Sequence, residues 1–305
     1  MTTAQRTRFL EARRRLLRWH REQNKRSFSW RHDVRVPYHV WLCEMMGQQT
    51  QASRIEEYLR RFLNRFPTVH SLAEAPQRDV VRAWQGLGYN RRAVYLHKAA
   101  KQIVEQFDGS LPSTETKLRS LAGVGEYTAR AIQVFAFGKH VSAVDVNVSR
   151  VLTRLSKRTQ DRAFLLPISD VHEINLAILP SKRTRDWHEA IMDLGATICT
   201  KNRPQCDSCP LRSQCPSVGL QNAQRPERKN SKTEPLFFGH PKRIWRGRVL
   251  KLIAASPLSR QRLRSVLSAN HSIDASIADD ILTLVLPGLL EEGFIHLTKS
   301  RYELR

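Results

Sequence analysis

Hydrophobic positions along this chain recur mostly three and four residues apart, the spacing that gathers them on one face of an α-helix. Residues 4–23 predict a first helix, with Phe9, Leu10, Leu16, Leu17 and His20 near one face. Pro37 can open a second, continued from Tyr38 to Ser53 with Val40, Trp41 and Met45 inward. Residues 54–107 read as helical throughout, with breaks near Pro67, Pro76 and Gly86. A short amphipathic turn ends at Leu121, Gly123-Val124-Gly125 follows, and a further helix buries Ala129, Ile132, Val134 and Phe135. That stretch reads as helix, hairpin, helix. Helices are expected over 147–157, 168–179 and 184–198, the last with Trp187, Ala190, Ile191 and Leu194 in one stripe. Residues 221–242 are polar, charged and proline-containing, a linker pattern. Residues 243–292 give two or three helical patterns, and Phe294 to Arg305 reads as two short strands around a turn. The expected fold is mainly α, with a small winged-helix-like α+β domain at the C-terminal end. There is no internal repeat or low-complexity stretch.

Charge narrows the class. The 305 residues carry 51 Lys and Arg against 28 Asp and Glu, a formal +23, and 41% are hydrophobic. A chain this long can bury a sizeable core without disulfides, and its excess charge points to a polyanion partner. No apolar run of transmembrane length and no apolar signal-peptide core is present, so a cytoplasmic, nucleoid-associated protein with no membrane partner is expected. The basic residues cluster. Residues 1–31 hold ten Lys or Arg and two Glu; residues 221–270 hold twelve and two. The first cluster reads either as a solvated helix face or as a face turned to phosphates.

Three features carry candidate chemistry. The amides of Gly123 and Gly125, with a helix N-terminus behind them, suit a phosphate. Twenty residues on, Asp145 precedes another helix in an apolar run; it reads as an N-cap or as a carboxylate held beside a DNA strand. Glu44 sits inside an apolar segment. It is either solvent-facing or ion-paired, or else buried with a raised pKa, which is what a general acid needs. The cysteines form the third feature, as Cys199-x6-Cys206-x2-Cys209-x5-Cys215, with Cys43 apart as a buried thiol. Four close thiolates can hold zinc or an iron–sulfur cluster.

LAGVGEYTARAI followed by VDVNVSRV, with CEMMGQQTQ, GLGYNRRA and the cysteine spacing, resembles the helix-hairpin-helix base-excision DNA glycosylase superfamily of endonuclease III and MutY over residues 25–220. Within it, the chain is similar to MutY-type A/G-specific adenine DNA glycosylases. The resemblance implies a two-lobed core over 1–220, with a helical lobe over 32–140 and an iron–sulfur lobe from 1–31 and 141–220. The linker at 221–242 and a basic winged-helix-like domain at 243–305 would follow. It also implies that Glu44 protonates the adenine ring, that Asp145 is catalytic, and that the cysteines hold a 4Fe-4S cluster. Trp30 and Arg31 match a pocket-entrance pair. Gln48 and Gln49 match residues that enter the duplex beside the extruded base, Tyr89 a wedge in the base stack, and Glu189 a side chain that contacts adenine. Apart from the resemblance, Tyr89 also reads as a core-capping aromatic.

Tyr127 stands where endonuclease III-type enzymes carry a Schiff-base lysine, so lyase chemistry is not expected. Tyrosine at this position also fits thymine–guanine mismatch glycosylases. MutY proteins commonly end in a Nudix-like domain, and the chain after residue 220 is too short and too helical for one. The expected function is monofunctional removal of adenine opposite guanine or 8-oxoguanine, by a monomer acting on duplex DNA with a mismatched or damaged base. The alternatives are a thymine or uracil mismatch glycosylase on the same scaffold and a noncatalytic DNA-binding protein with a glycosylase fold.

Overall fold

The computed structural model describes residues 2–23, 28, 31, 36–159, 164–220 and 234–305. In chain order, the first helices are α1 Thr3–Gln23, α2 Pro37–Gly47, α3 Ala52–Arg65, α4 Val69–Glu74, α5 Gln77–Trp84 and α6 Arg91–Phe107. Next come α7 Glu115–Arg119, α8 Glu126–Phe135, α9 Val146–Ser156, α10 Ile168–Ile178 and α11 Thr184–Thr197. Beyond residue 233 lie β1 Leu236–Phe237, β2 His240–Pro241, α12 Lys242–Ala255, β3 Leu258–Ser259, α13 Arg260–His271, α14 Ala275–Glu291, β4 Ile295–Thr298 and β5 Arg301–Leu304. Among the described residues the protein is mainly helical, with two small antiparallel sheets. None of the described helices is long and apolar enough to cross a membrane.

Two compact units divide the chain, with one boundary inside α2 after Glu44. The first takes residues 1–44, 113–120 and 124–227. Its core joins Phe9, Leu16, Val148, Leu152, Val171, Trp187, Ile191 and Leu194, all buried, so α1, α9, α10 and α11 share one apolar interior. Each such side chain stabilises the fold by about 1.5–3 kcal/mol before entropy is counted. The α11 stripe of Trp187, Ala190, Ile191 and Leu194 is buried as its spacing implies. The α1 stripe differs. Phe9, Ala12, Leu16 and Trp19 face inward, while Leu10, Leu17 and His20 are only partly covered.

The second unit takes residues 45–112, 121–123 and 228–305. Helices α3 to α6 bury Ile55, Leu59, Phe62, Trp84, Leu96 and Ile103. Arg82 Nε donates to the Ala254 carbonyl at 2.9 Å and Gln77 Nε2 to the Gly293 carbonyl at 3.1 Å, so the C-terminal segment is bonded to α5. Strands β4 and β5 pair antiparallel through Ile295–Leu304 and Thr298–Arg301, and β3 adds to β5, giving the order β3-β5-β4. Lys299 and Ser300 both have positive φ, as a two-residue hairpin turn requires. The hairpin was legible in the sequence. The two-residue strands β1, β2 and β3 were not, since so short a run has no periodicity.

One helix boundary moves. The pattern predicted helix to Ser53, but α2 stops at Gly47 and residues 48–51 form a turn with Gln49 at φ 58°. Glycine is a poor helix former, and this turn presents Gln48 and Gln49 off the helix axis.

Candidate active site

Asp145 caps α9. Its Oδ1 accepts the amides of Asn147 at 2.9 Å and Val148 at 2.7 Å, and its Oδ2 accepts Asn147 Nδ2 at 2.8 Å. The N-cap reading is therefore real, and it fixes the carboxylate's orientation. Asn147 is held in turn: its Oδ1 accepts Arg150 Nη2 at 2.7 Å, which also donates to the Gly195 carbonyl. Gly195 is glycine for a steric reason, because a Cβ there would lie 2.6 Å from Asn147 Cβ. The approach to Asp145 is pinned at Ala143, whose amide donates to His188 Nε2 at 3.1 Å. Burial lowers the His188 pKa to about 4. The ring is thus neutral at physiological pH and can accept at Nε2 while Nδ1 donates to the Thr184 carbonyl.

Glu44 lies in the same unit, on α2. Burial above all, and then the negative charge of Asp145, raise its pKa, Arg31 opposes both, and together they leave it at about 7. Tyr127, on the first turn of α8, joins the cluster. Burial pushes its pKa well above 10, and Glu44 and Asp145 add to the effect, so it stays a neutral phenol. Among the described residues, this cluster sets the raised Glu44 carboxyl beside the capped Asp145 carboxylate and the neutral Tyr127 phenol.

Arg31 is anchored by a residue that spacing did not reveal. Its Nη1 and Nη2 donate to Asp193 Oδ2 at 2.7 Å and Oδ1 at 3.2 Å, with His20 Nε2 3.5 Å from the same carboxylate. The available signal was an aspartate inside the buried stripe of α11. Glu189, one turn earlier on α11, is 7% exposed. Trp30 lies outside the described residues.

The loop residues Gln48, Gln49, Tyr89 and Gly123 belong to the second unit, while Gly125 lies in the first. Gln48 Nε2 donates to the Gly123 carbonyl at 3.2 Å. Gly123 has φ 77°, and a Cβ there would lie 2.9 Å from Met45 Cε and Tyr95 Cβ, so only glycine fits. Gly125 sits at the N-cap of α8 and is exposed. Tyr89 has φ 47° and is 48% exposed, so the core-capping reading does not hold. A second missed residue, Arg92, holds both loops. Its buried guanidinium donates to the carbonyls of Met45, Met46 and Gln48 on one side and Leu87 and Gly88 on the other. It also lies over the rings of Trp84 and Tyr89.

Cys199, Cys206, Cys209 and Cys215 line one cavity of about 30 Å³ in the first unit, with Arg154 and Ile198. Arg154 Nη1 donates to Cys199 Sγ at 3.3 Å. Burial pushes Cys209 to about 12 and Cys215 to about 11, with the other thiols adding to it. These sulfurs ionise only if a cation draws off their protons. Among the described residues, no three His, Cys, Asp or Glu side chains converge closely enough to hold a single metal ion. The donor set itself, four thiols and a guanidinium on one cavity, suits an iron–sulfur cluster.

Comparison with known proteins agrees with this geometry. The family described as HhH-GPD superfamily base excision DNA repair protein matches residues 42–163. The adenine DNA glycosylase of Homo sapiens is 38% identical over 208 residues, 66% of this chain and 38% of the human one. The chain thus spans about two fifths of the length of the mammalian relatives it matches. A solved thermostable thymine-DNA glycosylase is 25% identical with a TM-score of 0.63, covering 71% of this chain and 97% of that one. The adenine DNA glycosylase of Mycobacterium tuberculosis is 33% identical over 292 residues, covering 92% of this chain and 93% of that one. A match so nearly end to end, on a helix-hairpin-helix scaffold, makes this chain a member of the adenine DNA glycosylase family of base-excision repair proteins.

Proposed function

We propose that the chain is a monofunctional DNA glycosylase that removes adenine opposite guanine or 8-oxoguanine from duplex DNA. The observation that carries this is Glu44 holding a proton to about pH 7 beside Asp145 and Tyr127. Glu44 donates that proton to a nitrogen of the extruded adenine. The bond from the sugar to the base breaks and its electrons leave with the base. Asp145 stabilises the positive charge left on the sugar and directs water onto it. The water's oxygen bonds to the sugar carbon and its surplus proton passes to a carboxylate. Tyr127 supplies no amine, so the product is an intact abasic strand. Glu189 and Arg31 line the adenine pocket, the resemblance also assigns Trp30 to its entrance, and Gln48, Gln49 and Tyr89 hold the gap the base leaves in the stack.

The four cysteines hold a 4Fe-4S cluster. A cluster held there would cross-link the loop that carries buried Leu211, a structural contribution. Purified protein should be brown, with broad absorbance near roughly 400 nm; a colourless, active protein with stoichiometric zinc would overturn the assignment. Residues 1–220 form the two-lobed core; the linker expected over 221–242 stops short of β1, because β1, β2 and the first residue of α12 fall within that span, and the winged-helix-like domain begins there.

The decisive experiment is single-turnover base release from duplexes carrying A opposite 8-oxoguanine, A opposite G, and T or U opposite G. Adenine release is expected. Preference for thymine would favour the second reading, which the fold of the thymine-DNA glycosylase supports. Borohydride should trap no covalent complex with the parent, while Tyr127→Lys gains weak strand cleavage. Efficient trapping by the parent would mean that another lysine attacks the sugar.

A further inference from the structure

The C-terminal segment ends in a helix pair, α13 and α14, followed by the β4–β5 hairpin. In a helix-turn-helix the second helix of the pair reads the groove. Here that helix is α14, and its sequence, ASIADDILTLVLPGLLE, holds no Lys, Arg or His while carrying Asp279, Asp280 and Glu291. Phosphates would repel it. Arg260 at the start of α13 is already bonded to Asp279 at 2.9 Å and to Thr283. The topology nominates a helix that the charges reject.

Helix α12 has the opposite composition. It carries Lys242, Arg243, Arg246, Arg248 and Lys251 and no acidic residue. Arg246 pairs with Glu292 at 2.8 Å, and Arg248 lies 4.5 Å from the Trp245 ring centre. Lys242, Arg243 and the Arg246–Glu292 pair all line a cleft of about 670 Å³ within the second unit, within the usual range for a ligand site, and of these cations Lys242 and Arg243 lie on the first turn of α12. Its opposite wall carries Gln49, Tyr89 and Tyr95. Arg91 is stacked 5.4 Å from the Tyr95 ring centre. Arg243 meets Glu234 at 2.7 Å, but both are exposed, and such a pair contributes little. A phosphate oxygen can replace that carboxylate at low cost.

We propose that this cleft is a binding site for a DNA strand, with phosphates on Lys242 and Arg243 and the adjoining sugar and base against Tyr89 and Tyr95. The C-terminal segment then engages DNA through α12 and not through α14. Its basic first turn shares one site with the loop residues Gln49 and Tyr89. This rests on the reading of the chain as a DNA glycosylase and gives the appended segment a defined place in substrate binding.

The test compares charge reversals in the intact chain. Lys242→Glu with Arg243→Glu should weaken binding to a mismatched duplex roughly tenfold or more at moderate salt and lower the slope of log K against log salt by roughly two. Arg262→Glu with Arg264→Glu, on the exposed face of α13, should stay within about twofold of the parent with its slope unchanged. Melting temperatures check folding. If the reversal unfolds the protein, Lys242→Ala with Arg243→Ala decides by the same slope. Parental binding and slope in the cleft variants, or an equal loss in the α13 variants, would overturn the proposal. Adenine release by the parent in the same preparation separates this outcome from failure of the glycosylase reading itself.

Discussion

The two units use charge in opposite ways. In the first, a few charged groups are half-buried, and the environment decides which of them holds a proton: Glu44 is pushed to about 7 beside Asp145. In the second, the cations of α12 are half or fully exposed. Desolvated charge makes chemistry that depends on pH; exposed charge makes affinity that depends on salt. The proposed division is that one region breaks the bond and the other holds the strand.

The largest expected effect breaks the chemistry alone. Glu44→Gln should lower single-turnover adenine release by roughly 10²–10⁴-fold while duplex affinity stays near the parental value. Release within a few-fold of the parent would remove Glu44 as the acid. The same variant sharpens the contrast in stability. A carboxyl whose folded pKa exceeds its unfolded one contributes stability that is full below the unfolded value and lost as pH rises through the folded value. Here that window runs from 4.5 to about 7. From pH 4 to pH 8 the parent should lose up to about 3 kcal/mol relative to Glu44→Gln, measurable as diverging melting temperatures.

A second effect concerns position on the pH axis. Only protonated Glu44 can act, so parental release should fall about tenfold per pH unit above its pKa. Arg31 lowers that pKa. Arg31→Met combined with Asp193→Asn, which leaves no buried carboxylate without its cation, should move the fall to higher pH. An unmoved profile would show that Arg31 acts by shape only.

The smallest effect falls in the second unit. Arg92→Lys keeps a charge but cannot reach five carbonyls in two loops. Stability should drop by about 1–3 kcal/mol, read by thermal melting. Base release at subsaturating enzyme should drop with it, as the loops bearing Gln49 and Tyr89 loosen.

The sequence by itself determined the helical class, the α11 stripe, the C-terminal hairpin and the short motifs around Glu44, Asp145 and the cysteines. Each depends on spacing within a few residues, where helix and strand periodicity act directly. Tertiary structure decided the rest. Arg31 finds Asp193 across 162 positions of chain. Arg92 reaches back 44 positions to Gln48 while also holding Gly88. Lys242 and Arg243 come to share a cleft with Gln49 and Tyr89. No local pattern encodes such meetings, because they follow from how whole helices pack. The acidity of Glu44 belongs with them: the side chain is written in the sequence, but burial and the neighbouring Asp145 set where its proton leaves.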